Sequence, residues 1–223
     1  LRGAGFRLSS GIRKNYLQLG LWGDNLAVGP WEKPGISNPA IVRYYNGVWE
    51  WHVFLSNGTV RVSIFGGPGD LPKPQDYDGD GIFDKAIFRP SQKRVYVVFS
   101  SDRTTHTYTF GNRAADHTFR GEVTGDGIDD ITFWQPQTGL VTTLTSTNGF
   151  SSLKARDKDP AFYKELQLGS YGVHLPLSWF KRSGKIVYTV VDHATGNRYY
   201  RPGNKPTSGI KRIQWGLNTD AQG

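Results

Sequence analysis

The sequence predicts an all-β protein, a β-propeller assembled from four-stranded blades of about 46 residues. Three observations carry this. First, 28 Gly and 12 Pro accompany a charged fraction of only 21%, a composition that favours short strands and turns over helices. Second, apolar segments recur at a fixed spacing. Third, turn dipeptides separate those segments at matching places.

The repeat shows best in the apolar column Ala40-Ile41-Val42, Ala86-Ile87-Phe88, Thr132-Phe133-Trp134 and Ser178-Trp179-Phe180, each 46 residues from the last. A second column, Trp49, Val95, Val141 and Val187, keeps the same spacing. A third closes each unit at a glycine: Leu19-Gly20, Phe65-Gly66 and Phe110-Gly111, with Pro202-Gly203 in step and Arg156-Asp157 replacing the glycine in the unit between. First turns fall at Asn46-Gly47, Pro90-Ser91, Thr138-Gly139 and Ser183-Gly184. Second turns fall at Asn57-Gly58, Asn148-Gly149 and Gly196-Asn197.

Four complete units therefore run over 21–66, 67–111, 112–157 and 158–203. Residues 1–20 read as the closing strands of a partial blade, and 204–223 as the start of a further one. Two arrangements stay open at this point. The ends meet in a fifth, imperfect blade, or the chain is a segment of a longer propeller.

The strongest chemical signal is Asp76-Tyr77-Asp78-Gly79-Asp80-Gly81-Ile82-Phe83-Asp84. Three carboxylates at alternate positions, a glycine for a sharp turn and a fourth carboxylate can wrap a hard cation. Calcium takes six to eight oxygens, so Asp76, Asp78, Asp80 and Asp84 with the Ile82 carbonyl form a candidate calcium site. An EF-hand would carry Glu at the twelfth position, where Ile87 stands. The repeat register places Glu122, Thr124, Asp126, Ile128 and Asp130 at the same positions of the third unit, a less charged set expected to bind calcium more weakly. The first unit has Pro30, Glu32, Pro34, Ile36 and Asn38 there, and the fourth has Leu168, Ser170, Gly172, His174 and Pro176. Neither of those sets is a calcium site.

The run from Asp76 to Ser91, an Asp-rich loop, an apolar strand and then Arg89-Pro90-Ser91, resembles the FG-GAP/VCBS repeat of integrin-α-like β-propellers. The closing Phe65-Gly66 and Phe110-Gly111 suit that family. The resemblance is close over 67–111, fair over 112–150, and elsewhere rests on register. It implies a propeller with calcium between strands, in a secreted, cell-surface or periplasmic protein. Family propellers commonly have seven blades, so a five-bladed ring would depart from the pattern.

Cysteine is absent, which excludes disulfides, Cys-ligated zinc and thiol catalysis. His52, His106, His117, His174 and His193 show no paired metal spacing. The sequence has no nucleophile elbow and no phosphate loop, and its clustered acids are accounted for by calcium, so no enzyme is expected. No apolar run reaches the ~18 residues of a membrane span. The net charge of +8 points to an acidic partner, a glycan or other anionic polymer among them, but the basic residues are scattered, which argues against nucleic acid. Candidate partner-binding residues are Lys154, Arg156 and Lys158, together with the aromatics Trp22, Trp31, Tyr44 and Tyr45. The favoured expectation is a protein-binding, adhesive or scaffolding module. The alternative is a carbohydrate-binding lectin using Trp31, Trp49 and Trp51 as stacking platforms, although these aromatics do not recur from blade to blade.

Overall fold

In the computed structural model the described residues are 20–110, 117–119, 121–122, 124–135, 137–147 and 149–150, with the backbone strands 163–167, 174–176, 187–192, 197–202 and 211–214. They form four antiparallel four-stranded sheets. The first is built from β1 (Asn25–Leu26), β4 (Ala40–Tyr45), β5 (Val48–Phe54) and β6 (Val60–Ile64) in that spatial order. A hairpin of β2 (Gly29–Lys33) and β3 (Ile36–Asn38) is inserted between β1 and β4. The second sheet joins β7 (Leu71–Pro72), β8 (Lys85–Arg89), β9 (Arg94–Val98) and β10 (Thr105–Thr109). The third joins β11 (His117–Phe119), β12 (Ile131–Gln135), β13 (Leu140–Leu144) and β14 (Tyr163–Gln167). The fourth joins β15 (His174–Pro176), β16 (Val187–Asp192), β17 (Asn197–Pro202) and β18 (Lys211–Gln214).

The apolar columns become interior strands because a middle sheet is covered on both faces. On β8, Ala86 and Phe88 join a core with Tyr77, Val95, Val97, Ile131, Phe133, Leu144 and Phe150, between the second and third sheets. Ile87, pointing the other way, joins Trp31, Ala40, Val42, Trp51 and Val53 of the first sheet. All three consecutive residues are 0–1% exposed. The Phe88 and Phe133 rings meet edge to face, with centroids 4.6 Å apart. Truncating Phe88 to Ala should cost about 3–5 kcal/mol in denaturant unfolding.

The turns follow their chemistry. Asn46-Gly47 joins β4 to β5 with φ of 48° and 84°, the twist a two-residue hairpin requires. Gly66 closes the first sheet at φ 103°, and a Cβ there would meet Ile87 at 3.0 Å.

An ion pair repeats with the sheets. Arg43 Nε and Nη2 donate to Asp24 Oδ1 and Oδ2 at 2.9 and 2.8 Å. One unit on, Arg89 Nε and Nη2 donate to Asp70 Oδ1 and Oδ2 at 2.7 and 2.8 Å. Both pairs are bidentate and fasten the entry of a sheet to its second strand.

The 46-residue register holds between the second and third sheets in β8/β12 and β9/β13, but the shorter β4–β5 turn shifts the first sheet, so that Trp51 and not Trp49 stands opposite Val42 as Val95 stands opposite Phe88. The connection from β5 to β6 is 55–59 and that from β9 to β10 is 99–104, but β13 and β14 are joined by 145–162. This longer link carries the third sheet to Gln167, beyond the expected unit end at 157, and the fourth to Gln214, beyond 203. Val187 accordingly begins the second strand of its sheet, where Trp49, Val95 and Val141 lie in third strands. The expected strand Ser178–Phe180 and the terminal segment 1–19 lie outside the described residues.

Candidate metal centre

Asp76–Asp84 leaves the entry of the second sheet and returns into β8. An isolated bridge pairs Gln75 with Asp84, and Asp84 N donates to Gln75 O at 2.7 Å. The loop is closed from within. Asp76 accepts from Gly79 N at Oδ1 (2.7 Å) and from Gly81 N at Oδ2 (2.8 Å). Asp78 Oδ1 accepts from Asp80 N at 3.1 Å, and Asp80 Oδ1 accepts from Ile82 N at 2.7 Å. Carboxylates at alternate positions thereby fold the backbone around a common centre.

Two neighbouring segments grip the loop from either side. From the first sheet, Pro30 O accepts from Phe83 N at 2.6 Å, and Pro34 lies so close that a Cβ on Gly81 (φ 82°) would fall 2.8 Å from it. From the third, Asp129 N donates to Asp76 O at 2.8 Å while Asp129 Oδ2 accepts from Asp76 N at 3.1 Å. Ile128 covers Gly79, where an added Cβ would approach to 2.8 Å. The loop therefore belongs to the contacts among three consecutive sheets.

One carboxylate oxygen from each of Asp76, Asp78 and Asp84 lies within 4.8 Å of the other two. Oxygens at calcium distance, about 2.3–2.6 Å, would be separated by no more than about twice that. The donor set is all oxygen, which suits a hard cation. Asp80 lies outside this group, with Oδ2 accepting from Ser100 Oγ at 2.6 Å. Ser101 Oγ donates to Asp78 Oδ2, also at 2.6 Å. Ile82 is engaged through its N–H.

Burial sets the electrostatics of this group. Asp84 is 0% exposed. Burial raises its pKa to about 7, against the lowering effect of hydrogen bonds from Tyr77 N (2.7 Å) and Ser100 N (2.6 Å); the charges of Asp78 and Asp76 raise it further. The Asp76 pKa is also raised, by burial first and then by Asp78 and Asp80, against the hydrogen bonds from Gly79 and Gly81.

The third-sheet loop repeats much of this hydrogen bonding, with Glu122 and Thr124 in place of Asp76 and Asp78. Glu122 Oε1 accepts from Thr124 Oγ1 at 3.1 Å and also from Gly125 N. Asp126 Oδ1 accepts from Ile128 N at 3.0 Å, and its Oδ2 accepts from Ser146 Oγ at 2.9 Å and Thr147 Oγ1 at 3.4 Å. Asp130, 0% exposed, accepts from Ser146 N and Oγ at 2.6 and 2.9 Å. Burial works against the Asp126 anion, but hydrogen bonds from Ile128, Ser146, Thr124 and Thr147 outweigh it and hold the carboxyl below its ordinary range. The Ile128 side chain packs on the acidic loop. Among the described residues, Asp76, Asp78 and Asp84 are the one convergent acidic group.

The remaining expected site residues divide. Trp22 is 100% exposed, and Tyr44 and Tyr45 are 47% and 56% exposed. Trp31 is corrected from a partner-binding to a core residue, since it is 4% exposed, packs edge to face on Trp51 at 6.0 Å and donates Nε1 to Ala27 O at 2.7 Å. Trp51, at 1% exposure, is likewise core and cannot stack on a sugar from the surface. Trp49 is half-buried and donates Nε1 to Asp70 O. Lys154, Arg156 and Lys158 lie outside the described residues. Sequence reasoning passed over Ser100, Ser101, Asp129 and the Asp24–Arg43 and Asp70–Arg89 pairs. The 46-residue spacing of Ser100 from Ser146, and of Asp24 from Asp70, was the available signal.

No family model matches the chain. No curated protein matches it. Among solved structures it is similar to a catalytically inactive virginiamycin B lyase from Staphylococcus aureus with quinupristin, at a TM-score of 0.55 and 10% identity. The match covers 93% of this chain and 62% of that one, so the chain spans less than two thirds of that neighbour's length. The neighbour is propeller-like, and at this identity the likeness carries the fold alone: an all-β, propeller-like protein of antiparallel four-stranded sheets.

Proposed function

We propose that the chain is a non-catalytic, calcium-stabilised β-propeller module that holds protein partners in an extracellular, cell-surface or periplasmic assembly. The observation that carries the calcium reading is the convergence of Asp76, Asp78 and Asp84 with the raised carboxyl pKa values of Asp76 and Asp84. Those three residues would hold the ion, with Asp80 and the Ile82 carbonyl as additional oxygens. Bound calcium supplies positive charge to the cluster. Because the loop touches both neighbouring sheets, the ion acts on blade-to-blade packing and not on one blade alone. Its place inside that packing supports a structural role over a catalytic one. The FG-GAP/VCBS resemblance of Asp76–Ser91 supports the same reading and the extracytoplasmic location.

The binding role rests on exposed aromatics, above all Trp22, and on the net positive charge. The burial of Trp31 and Trp51 removes the two best stacking platforms of the lectin alternative. A glycan array probed with the calcium-loaded chain tests the choice. The scaffold reading expects no saturable binding, and saturable binding to one sugar class overturns it. Calcium calorimetry on the parent and Asp80→Ala tests the fourth carboxylate. Weaker binding is expected in the variant, and equal binding removes Asp80 from the ligand set.

A further inference from the structure

We propose that this chain forms a two-fold dimer through strand β6, a second copy of the same strand being its occupant. The case rests on the first sheet and is independent of the metal loop. β6 is the edge strand of that sheet. Val60, Val62 and Ile64 are 44%, 54% and 63% exposed. They stand opposite Phe54, His52 and Glu50 of β5, and so share one face. The other face, carrying Trp51 and Val53, packs on the second sheet.

The corresponding strand of the second sheet provides the control. Forty-five residues on, β10 carries Thr105, Thr107 and Thr109 at the positions of Val60, Val62 and Ile64. These threonines are opposite Val98, Tyr96 and Arg94, on the face turned to the first sheet, and they are exposed although that sheet is in place. Packing of a neighbouring sheet thus leaves the outer strand in solvent, and threonine suits that position. Val and Ile keep the β-branched shape and discard the hydroxyl. A missing neighbouring blade therefore does not account for the apolar row on β6, whereas strand-to-strand pairing does.

β6 also lacks the features that protect an edge. It has no Lys and no Pro. Its one charged residue, Arg61, is turned to the other face and donates Nη2 to Trp31 O at 3.0 Å. The strand is self-complementary. Antiparallel pairing centred on Val62 sets Val62 against Val62, Val60 against Ile64 and Arg61 against Ser63. No like charges are opposed, and branched side chains meet across the join. Sliding the partner by two residues to centre the pairing on position 61 would set Arg61 against Arg61, a register that like charge disfavours. The symmetric pairing closes at two copies, because each copy contributes its own β6 edge to the join.

Five paired residues make a small interface, so association is expected at roughly micromolar concentration or weaker. Sedimentation equilibrium on the full chain, from low to high micromolar, should show a reversible dimer. Val62→Lys should weaken it at least tenfold, and Thr107→Lys should leave it unchanged. A cross-link supplies a second reading. The chain has no cysteine, so Val62→Cys should give a disulfide-linked dimer under mild oxidation, whereas Thr107→Cys should form no cross-link. A parent monomeric throughout this range overturns the proposal. So does a dimer equally sensitive to both lysine variants, or equal cross-linking of the two cysteines.

Discussion

The acidic loop Asp76–Asp84 and its counterpart in the first sheet, Pro30–Asn38, solve one structural problem with opposite electrostatics. Both end on a buried side chain that holds the loop, Asp84 at 0% exposure and Asn38 at 3%. Both accept from the backbone N–H seven residues earlier, Tyr77 at 2.7 Å and Trp31 at 3.2 Å. They differ in the group facing them across the sheet. Asn38 donates Nδ2 to Phe54 O at 3.0 Å, whereas Asp84 accepts from Ser100 N at 2.6 Å, in the position 46 residues on. An amide can do both jobs and stay neutral; a carboxylate can only accept, and it brings a charge. Asn38 also donates to Glu32, whose carboxylate accepts from Ser56 N at 2.7 Å. The hairpin is held by a neutral amide where the acidic loop uses a carboxyl group. The repeat is therefore a scaffold that tolerates either solution, and a cation site needs both convergent carboxylates and an environment that leaves them unneutralised.

The comparison can be broken first at Asn38. Asn38→Asp would point a buried carboxylate at Phe54 O and at Glu32. It should cost about 3–5 kcal/mol, as for an uncompensated buried charge, in denaturant unfolding at neutral pH. Calcium should not restore the loss, because Pro30 and Pro34 offer no side-chain oxygen.

The next test is pH. The carboxyl of Asp84 titrates at about 7 in the fold and near 3.9 in an unfolded chain. Between those values the folded state holds a proton that the unfolded chain has released. Stability of the calcium-free protein should thus fall as pH rises from about 4 to about 7. With calcium bound the carboxylate is already ionised, and this slope should vanish. Urea unfolding with chelator and with calcium, at pH 5 and pH 7.5, reads both arms.

The smallest effect is expected in the third-sheet loop. Asp126 is held ionised by hydrogen bonds, so Asp126→Ala should cost about 1 kcal/mol through lost bonds and leave the calcium response intact. A calcium response that disappears in this variant would make Asp126 a ligand and erase the contrast between the loops.

The sheets and the acidic loop were legible because they repeat locally. Ala86-Ile87-Phe88 reads as a strand covered on both faces, and Asp76–Asp84 reads as a cation loop from spacing alone. The register also foretold that Pro30–Asn38 would occupy the acidic loop's place without its chemistry. What escaped was decided across the sequence. Trp31 reads as a possible platform, yet Trp51 and Phe83 enclose it, with Phe83 at 5.7 Å. Asp129 and Pro34 grip the acidic loop from adjacent sheets and belong to no local motif. The unit ends at 157 and 203 fail because one connection, 145–162, is longer than its counterparts, and hydrogen-bond ladders follow strands and not a sequence period.

The most direct test of the account is a pair of thermal scans, the parent and Asp78→Ala, each in chelator and in calcium. Asp78 is half-buried, and loss of its side chain should disturb the calcium-free protein little. Calcium at a hundredfold excess over its dissociation constant should stabilise the parent by about 2.7 kcal/mol and raise its Tm, while the variant should not respond at the same concentration. A parent whose Tm ignores calcium, or a variant that gains as much as the parent, would contradict a cation site at Asp76, Asp78 and Asp84.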